Sequence, residues 1–90
     1  MSKQPVKVTI KYCAECGYGH EAIALTQALM DEFQLWLTSI EIVPWYNGAY
    51  DVLVNDDLVH SMYRDGGFPA PETIFAAIRE RLGTSVEKDG

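Results

Sequence analysis

The sequence predicts an α/β fold with the element order β-α-β-β-β-α and a four-stranded mixed sheet. Residues 6–12 alternate apolar and polar side chains, which is the period of a strand. Residues 22–33 carry apolar side chains three or four positions apart, which is the period of an amphipathic helix. A strand, a helix and a second strand nearly always form a right-handed parallel unit. A hairpin farther along the chain would add two more strands.

The first half of the chain supplies the parallel unit. Val6–Tyr12 is the first strand, and the helix that follows covers about Gly19–Phe33. Its apolar stripe consists of Ala22, Leu25, Leu29 and Phe33. Leu37–Val43 is rich in β-branched residues and predicts the second strand, which we expect Pro44 to end because proline lacks an N–H donor. The loop that begins there contains an Asn-Gly turn.

The second half predicts a hairpin and a helix. Tyr50–Val54 and Leu58–Met62 are two short strands joined by the turn-favouring residues 55–57. Tyr63–Pro71 contains two glycines and two prolines and predicts a loop. Glu72–Leu82 predicts the last helix. One face of this helix carries Ile74, Phe75, Ile78 and Leu82.

Composition bounds the domain organisation and the partners. The 90 residues suffice for one domain, which we place at residues 1–82, with a flexible polar tail at 83–90. The net charge of -6, with only 7 Lys and Arg, disfavours nucleic acids and membrane surfaces, because phosphate binding needs clustered cations. The first eight residues lack the apolar core of a secretory signal. We therefore expect a cytoplasmic protein, in which free thiols are the default.

Both cysteines, Cys13 and Cys16, lie in the segment Tyr12–Ala22, "YCAECGYGHEA", between the first strand and the first helix. A thiolate is the nucleophile in disulfide exchange, and a helix amino-terminus favours it through free N–H donors and a partial positive charge. We expect Cys13 just ahead of the helix and Cys16 one turn later, where it can close a ring. A C-x-x-C beside a β-α-β pattern is typical of thioredoxin-like redox proteins, which makes thioredoxin-like the predicted fold.

Two other interpretations of the cysteine pair remain open. The cysteines could be buried and inert, as free cysteines often are. They could also bind zinc together with His20, but a structural zinc site needs a fourth ligand, which would have to be His60 or a distant carboxylate. We expect no metal and no cofactor.

Three neighbours could modulate the pair. The carboxylate of Glu15 should oppose thiolate formation, whereas Lys11 and His20 are the nearby cationic candidates. His20 could also assist proton transfer, because histidine titrates near neutral pH. The alternative is that His20 is simply a solvated residue in the first helical turn.

The chain resembles the selenoprotein W-like, or Rdx, family of small thioredoxin-like proteins. The resemblance extends from about residue 6 to residue 82. It is carried by "YCAECGY" after the first strand, by "GAYDV" at Gly48–Val52, and by "HS" at 60–61 followed by "GGFP" at 66–69. The first two motifs together are quite specific to the family.

This resemblance implies thiol-disulfide oxidoreductase activity, with glutathione or thioredoxin systems and client proteins as partners. In selenoprotein members, selenocysteine occupies the position that matches Cys16 and cysteine the position that matches Cys13, whereas here both are cysteine. The selenium position favours Cys16 as the attacking atom and the helix placement favours Cys13. We expect Cys13 to attack.

Five aromatic side chains are expected around the pair: Tyr12, Tyr18, Trp45, Tyr46 and Tyr50. An aromatic rim could dock a peptide or glutathione, because such residues offer a large contact area at low entropic cost. The alternative is that Tyr12 and Tyr50 are partly core and that only Trp45 and Tyr46 are exposed.

Thioredoxins proper place a cis-proline opposite the disulfide, and Pro44 comes several residues too early for that position. We expect Gly48, Ala49 and Tyr50 there instead. Gly48 would let the backbone approach the sulfurs, and it also suits a turn after Asn47, and these two interpretations are not exclusive. His60 and the "DGGFP" segment at Asp65–Pro69 are interpreted as structural.

The leading functional hypothesis is therefore a thiol-disulfide oxidoreductase that cycles Cys13 and Cys16 between dithiol and disulfide. A binding adaptor with a redox-sensing cysteine pair is the second hypothesis, and a zinc-stabilised domain is the third.

Overall fold

The computed structural model describes residues 5–83. Residues 84–90, which make up most of the predicted tail, lie outside the described residues. The elements in chain order are β1 (Lys7–Cys13), α1 (Gly19–Phe33), one turn of 3₁₀ helix (Gln34–Trp36), β2 (Ser39–Trp45), β3 (Tyr50–Val54), β4 (Asp57–Ser61), α2 (Met62–Asp65) and α3 (Pro71–Leu82).

The four strands form one mixed sheet in the order β2-β1-β3-β4. β1 runs parallel to β2, from the Lys7–Ser39 pair to the Cys13–Trp45 pair. β3 pairs antiparallel with β1 and with β4. The predicted mixed sheet and its parallel β-α-β unit are thus confirmed.

The core lies on one face of this sheet. Along β1, Val8 and Ile10 are fully buried, whereas Lys7, Thr9 and Lys11 are partly exposed on the other face. The even-numbered residues of β1 and β3 therefore face the helices, as the alternation requires. The contiguous core consists of Val6, Val8, Ile10, Ala22, Leu25, Leu29, Phe33, Tyr50, Val52, Val54, Ile74, Ile78 and Leu82.

The two longer helices contact each other over this face. The Phe33 and Phe75 rings meet edge to face, with centroids 5.5 Å apart. The Arg79 guanidinium lies over both rings, 5.6 Å from Phe33 and 5.9 Å from Phe75, and also forms an ion pair with Glu32. The stripes predicted for both helices are confirmed, although Phe75 is only half-buried.

β2 differs from the prediction because it starts and ends two residues later and contains Pro44. β2 is an edge strand, so one side of its backbone faces no partner among residues 5–83. Proline is tolerated in such a strand because its missing N–H need not interrupt the sheet. The sequence alone did not reveal which strand lies at the edge.

The hairpin turn is shorter than predicted. Asn55 and Asp56 have φ values of 52° and 72°, and Asp57 already belongs to β4. Two residues with positive φ give a turn whose twist matches that of the strands it joins. The Asn55 side chain fixes the turn against β1, where its Oδ1 accepts a hydrogen bond from the Lys7 N–H at 2.8 Å.

The short helix α2 occupies the start of the segment predicted as a loop. Ser61 caps it, since its Oγ accepts a hydrogen bond from the Arg64 N–H at 3.4 Å. The Asp65 carboxylate in turn accepts from the Ser61 N–H at 3.1 Å. Between Pro5 and Gly83, no helix combines the length and the apolarity needed to cross a bilayer.

Candidate functional site

The two cysteines lie at the carboxyl end of β1 and are joined by a disulfide with a Cα–Cα distance of 5.3 Å. A turn follows the strand: the Gly17 N–H donates to the Ala14 carbonyl at 3.2 Å, and Gly17 has a φ of 83°. That φ lies in the left-handed region, which glycine adopts without strain. The turn brings Cys16 back over the end of β1.

The helix amino-terminus is farther from Cys13 than expected. α1 begins at Gly19, and the turn residues 14–18 separate it from the end of β1. The Tyr18 N–H donates to the Cys13 carbonyl at 3.3 Å, so the turn closes on the strand. The expectation that Cys13 lies just ahead of the helix is therefore wrong, and Cys16 is the nearer cysteine along the chain.

The two sulfurs differ sharply in their exposure. Cys13 is 0% exposed, whereas Cys16 is exposed. Backbone hydrogen bonds hold Cys13 from both sides: its N–H donates to the Ala49 carbonyl at 2.7 Å, and the next N–H, of Ala14, donates to the Trp45 carbonyl at 3.1 Å. This burial does not favour the expectation that Cys13 attacks first, because Cys13 is the less accessible of the two cysteines.

Trp45 and Tyr46 flank the cysteine loop on the β2 side. Both are exposed, as predicted, and their ring centroids lie 5.0 Å apart. The Lys11 ammonium lies 4.5 Å from the centre of the Trp45 ring, a cation–π contact. Gly48 has a φ of 74°, and a Cβ built there would meet no atom within 4 Å. The positive φ thus agrees with the turn interpretation of Gly48, and the open space on its Cβ side gives the close-approach interpretation no support.

A second aromatic group lies on the helix side of the loop. The Phe68 ring packs edge to face on Tyr18 at 5.0 Å and on Tyr50 at 4.9 Å. Tyr50 is 1% exposed, and its hydroxyl donates to the Glu21 carbonyl at 3.1 Å. Burial, followed by the nearby Glu21 carboxylate, raises the pKa of Tyr50 to about 12. Tyr50 is therefore part of the core and not of an exposed rim, and Tyr18 is half-buried.

An open depression of about 280 Å³ borders the cysteine loop, and its lining residues are Tyr12, Ala14, Gly17, Gly19, His20 and Ile23. His20 is exposed there, and Ile23 is 64% exposed. Glu15 is also exposed, on the loop itself. The depression therefore offers an imidazole ring and an aliphatic side chain beside the loop that holds Cys16.

His60 has structural partners. Its Nε2 lies 2.8 Å from the Gly67 carbonyl oxygen, and its Nδ1 lies 3.6 Å from an Asp65 oxygen. The Arg64 guanidinium and the Ser61 N–H donate to Asp65, and these bonds lower the pKa of Asp65 to about 2. Among residues 5–83, no group of three or more His, Cys, Asp and Glu side chains is arranged to hold a metal ion.

Three residues at this end of the sheet were missed by sequence reasoning. Phe68 covers Tyr18 and Tyr50, and the Tyr63 hydroxyl donates to the Asn47 carbonyl, which ties α2 to the β2–β3 loop. Asp51, on β3, has a buried Oδ1 with no hydrogen-bond partner among residues 5–83. Phe68 and Asp51 had a sequence signal, since they belong to the "GGFP" and "GAYDV" motifs, whereas Tyr63 had none.

Comparisons with known proteins agree with this architecture. The chain is 33% identical over 86 residues to migration and invasion enhancer 1 of Mus musculus, and 30% identical over 86 residues to that of Bos taurus. Both alignments cover 92% of this chain and 71% of the relative.

Solved structures match over most of the chain. A Bordetella parapertussis protein aligns with a TM-score of 0.82 and 27% identity, covering 87% of this chain and 99% of that one. A selenoprotein W-related protein from Vibrio cholerae aligns with a TM-score of 0.83 over 88% of this chain and 99% of that one. At 20% identity, the second match bears on the fold alone. The thioredoxin-like fold is confirmed.

The sequence also matches a family model along residues 7–80, which contain both cysteines and all four strands. The chain belongs to the Rdx family.

Proposed function

We propose that this protein is a cytoplasmic thiol-disulfide oxidoreductase in which Cys16 attacks and Cys13 resolves. The observation that carries the proposal is the disulfide between one exposed and one fully buried cysteine. An exposed sulfur can be reached by a partner, and a buried sulfur bonded to it can react only within the same molecule. This asymmetry is what a two-step exchange requires.

The reaction begins with the dithiol form. The Cys16 thiolate attacks one sulfur of a client disulfide, forms a mixed disulfide and releases the first client thiolate. The Cys13 thiolate then attacks the Cys16 sulfur, closes the ring and releases the second client thiolate. The client gains two electrons and the protein loses two. Glutathione or a thioredoxin-type protein would return them by the reverse exchange.

The surroundings of Cys16 support partner binding. Exposed Trp45 and Tyr46 lie on one side of the loop, and the depression that contains His20 and Ile23 lies on the other. Aromatic and aliphatic side chains of this kind suit an extended peptide next to a reactive sulfur. The side chain of Lys11, held on Trp45, adds a positive charge.

The test uses single cysteine variants treated with glutathione disulfide and analysed by intact mass. Reduced Cys13→Ser should accumulate one glutathione on Cys16, because no second sulfur is present to resolve the adduct. The wild type should instead lose two hydrogens and carry no glutathione. Cys16→Ser is the matched control, and its buried Cys13 should react far more slowly. Equal rates for the two variants would contradict the proposal.

The same exposed tryptophan and tyrosine favour a second function, a binding adaptor whose affinity depends on the state of the disulfide. An adaptor would show redox-dependent capture of a partner without turnover. Steady-state reduction of a disulfide substrate by glutathione or by a thioredoxin system separates the two functions. Sustained turnover that is lost in Cys16→Ser supports the oxidoreductase, and its absence in the wild type supports the adaptor.

A further inference from the structure

A small buried region lies on the face of the sheet opposite the helices. Cys13 and Ala49 are 0% and 2% exposed, yet neither belongs to the contiguous core. The bond from the Cys13 N–H to the Ala49 carbonyl places the two side by side across β1 and β3. Ser61, at the end of β4, is 5% exposed, and α2 begins directly after it. Cys13 is thus buried outside the contiguous core.

Asp51 belongs to the same face. It pairs with Lys11 on β1 and with Ser61 on β4, so it lies one step diagonally from Cys13. Residues at diagonal positions on two antiparallel strands have Cα atoms roughly 7–8 Å apart. The Cβ atoms of such a pair lie closer than the Cα atoms, so a cysteine and an aspartate whose side chains lean toward each other can meet there.

The Asp51 carboxylate is unusually placed for a structural group. Its Oδ1 is buried and has no hydrogen-bond partner among the described residues. A buried acceptor without a donor costs free energy, and an anionic one costs more. Lys11, directly opposite, points its ammonium at Trp45. The fold therefore retains a buried carboxylate oxygen without a donor, at a cost in stability, on the strand next to Cys13.

We propose that Asp51 is the proton acceptor for the Cys13 thiol when the ring closes, an inference that rests on the proposed oxidoreductase function. A buried thiol has no water to take its proton, and burial in apolar surroundings disfavours its thiolate. The Sγ–H proton passes to Asp51, the resulting thiolate attacks the Cys16 sulfur of the mixed disulfide, and the client leaves as a thiolate. In the reverse reaction, Asp51 returns the proton to Cys13.

Other charged groups near Asp51 do not replace it in this role. From β1, the cation of Lys11 could favour the thiolate but cannot accept its proton. From α2, which contacts β3, Arg64 and Asp65 are paired with each other at 2.8 Å. Across β4, Ser61 carries only a hydroxyl. Asp51 is thus the free carboxylate on this face next to Cys13, within the described chain.

The test separates the two chemical steps with an aryl disulfide that releases a coloured thiolate. Mixed with the reduced protein, it should release one equivalent rapidly as Cys16 reacts and a second as Cys13 closes the ring. In Asp51→Asn the first phase should be unchanged and the second at least about tenfold slower, since a positioned base contributes that much or more. The slowed phase should accelerate as the pH rises from about 6 to 8, because hydroxide replaces the lost base.

Asp51→Glu is the conservative control and should recover much of the second phase, because it restores a carboxylate. The first phase shows in each sample that the cysteine loop is intact. If Asp51→Asn does not fold, Asp51→Ser provides a second variant without a base. A second phase in Asp51→Asn or Asp51→Ser that matches the wild type at every pH would overturn the role of Asp51. A wild type with no second phase would instead refute the proposed function.

Discussion

Reduction of the Cys13–Cys16 disulfide should leave the domain folded and lower its free energy of unfolding by about 2 kcal/mol. The bond joins residues at a sequence separation of 3, and the entropy of closing so short a ring in the unfolded chain corresponds to about 2 kcal/mol at room temperature. Neither sulfur belongs to the contiguous core, so reduction opens no cavity there. A change of this size corresponds to a fall of roughly 8–16 °C in Tm for a domain of this length.

Thermal unfolding of the wild type with and without a strong reductant measures this change. Cys16→Ser, which cannot form the bond, should show the same Tm in both conditions and thereby reports any direct effect of the reductant. A Tm that does not move in the wild type would refute the ring-entropy argument. Complete unfolding on reduction would show that the disulfide holds the fold together.

The free energy that the disulfide contributes to folding also predicts a shift in the reduction potential of the cysteine pair. If the bond stabilises the fold by about 2 kcal/mol, the fold must stabilise the bond by an equal amount. For a two-electron couple this corresponds to about 40 mV. The reduction potential of the native pair should therefore lie about 40 mV below that of the same pair in denaturant. Equilibration with glutathione buffers in the two conditions measures both values.

Three further predictions concern the fold around the site. Tyr50→Phe keeps the ring and removes only the hydroxyl that donates to the Glu21 carbonyl. The loss of this hydrogen bond should lower the free energy of unfolding, measured in a urea titration, by about 1 kcal/mol. Ile78→Ala creates a cavity at a position that is 0% exposed and should cost about 2–5 kcal/mol in the same measurement. The pKa of Asp65 is lowered from 3.8 to about 2 by its bonds to Arg64 and to the backbone, so its stabilising effect is present above pH 3.8 and disappears as the pH falls toward 2. Asp65→Asn should flatten the stability profile across that range, and an unchanged slope would contradict this assignment.

Local periodicity predicted the regular elements well. The bounds of α1 agree with the apolar stripe from Ala22 to Phe33, and those of β3 agree with its alternation. Both patterns extend over enough residues to define a face. The four residues of α2 are too few for any period to be recognised, and their helix depends on the cap that Ser61 provides.

The sequence did not determine which residues around the cysteines are buried, because their burial depends on contacts between distant parts of the chain. The motif identified the cysteine pair, but not which sulfur is enclosed, because Cys13 is buried at the junction of β1 with the β2–β3 segment. Tyr50 was expected either in an aromatic rim around the cysteines or partly in the core, and it lies in the core, where Phe68, 18 positions later in the chain, packs on it. Asp51 belongs to the "GAYDV" motif, but its burial could not be predicted, because an aspartate in an alternating strand has the pattern of an ordinary solvent-facing residue.

Pro44 affects whether two molecules of this protein can pair through the exposed edge of β2. β2 ends the sheet on one side, and a free strand edge invites a strand from another molecule to continue the ladder. A proline near the end of that edge supplies no N–H donor for such a ladder, and its ring obstructs close pairing there. Pro44 thus disfavours edge-to-edge pairing at the end of β2 that lies beside the cysteine loop, and it leaves the next residue, Trp45, exposed there.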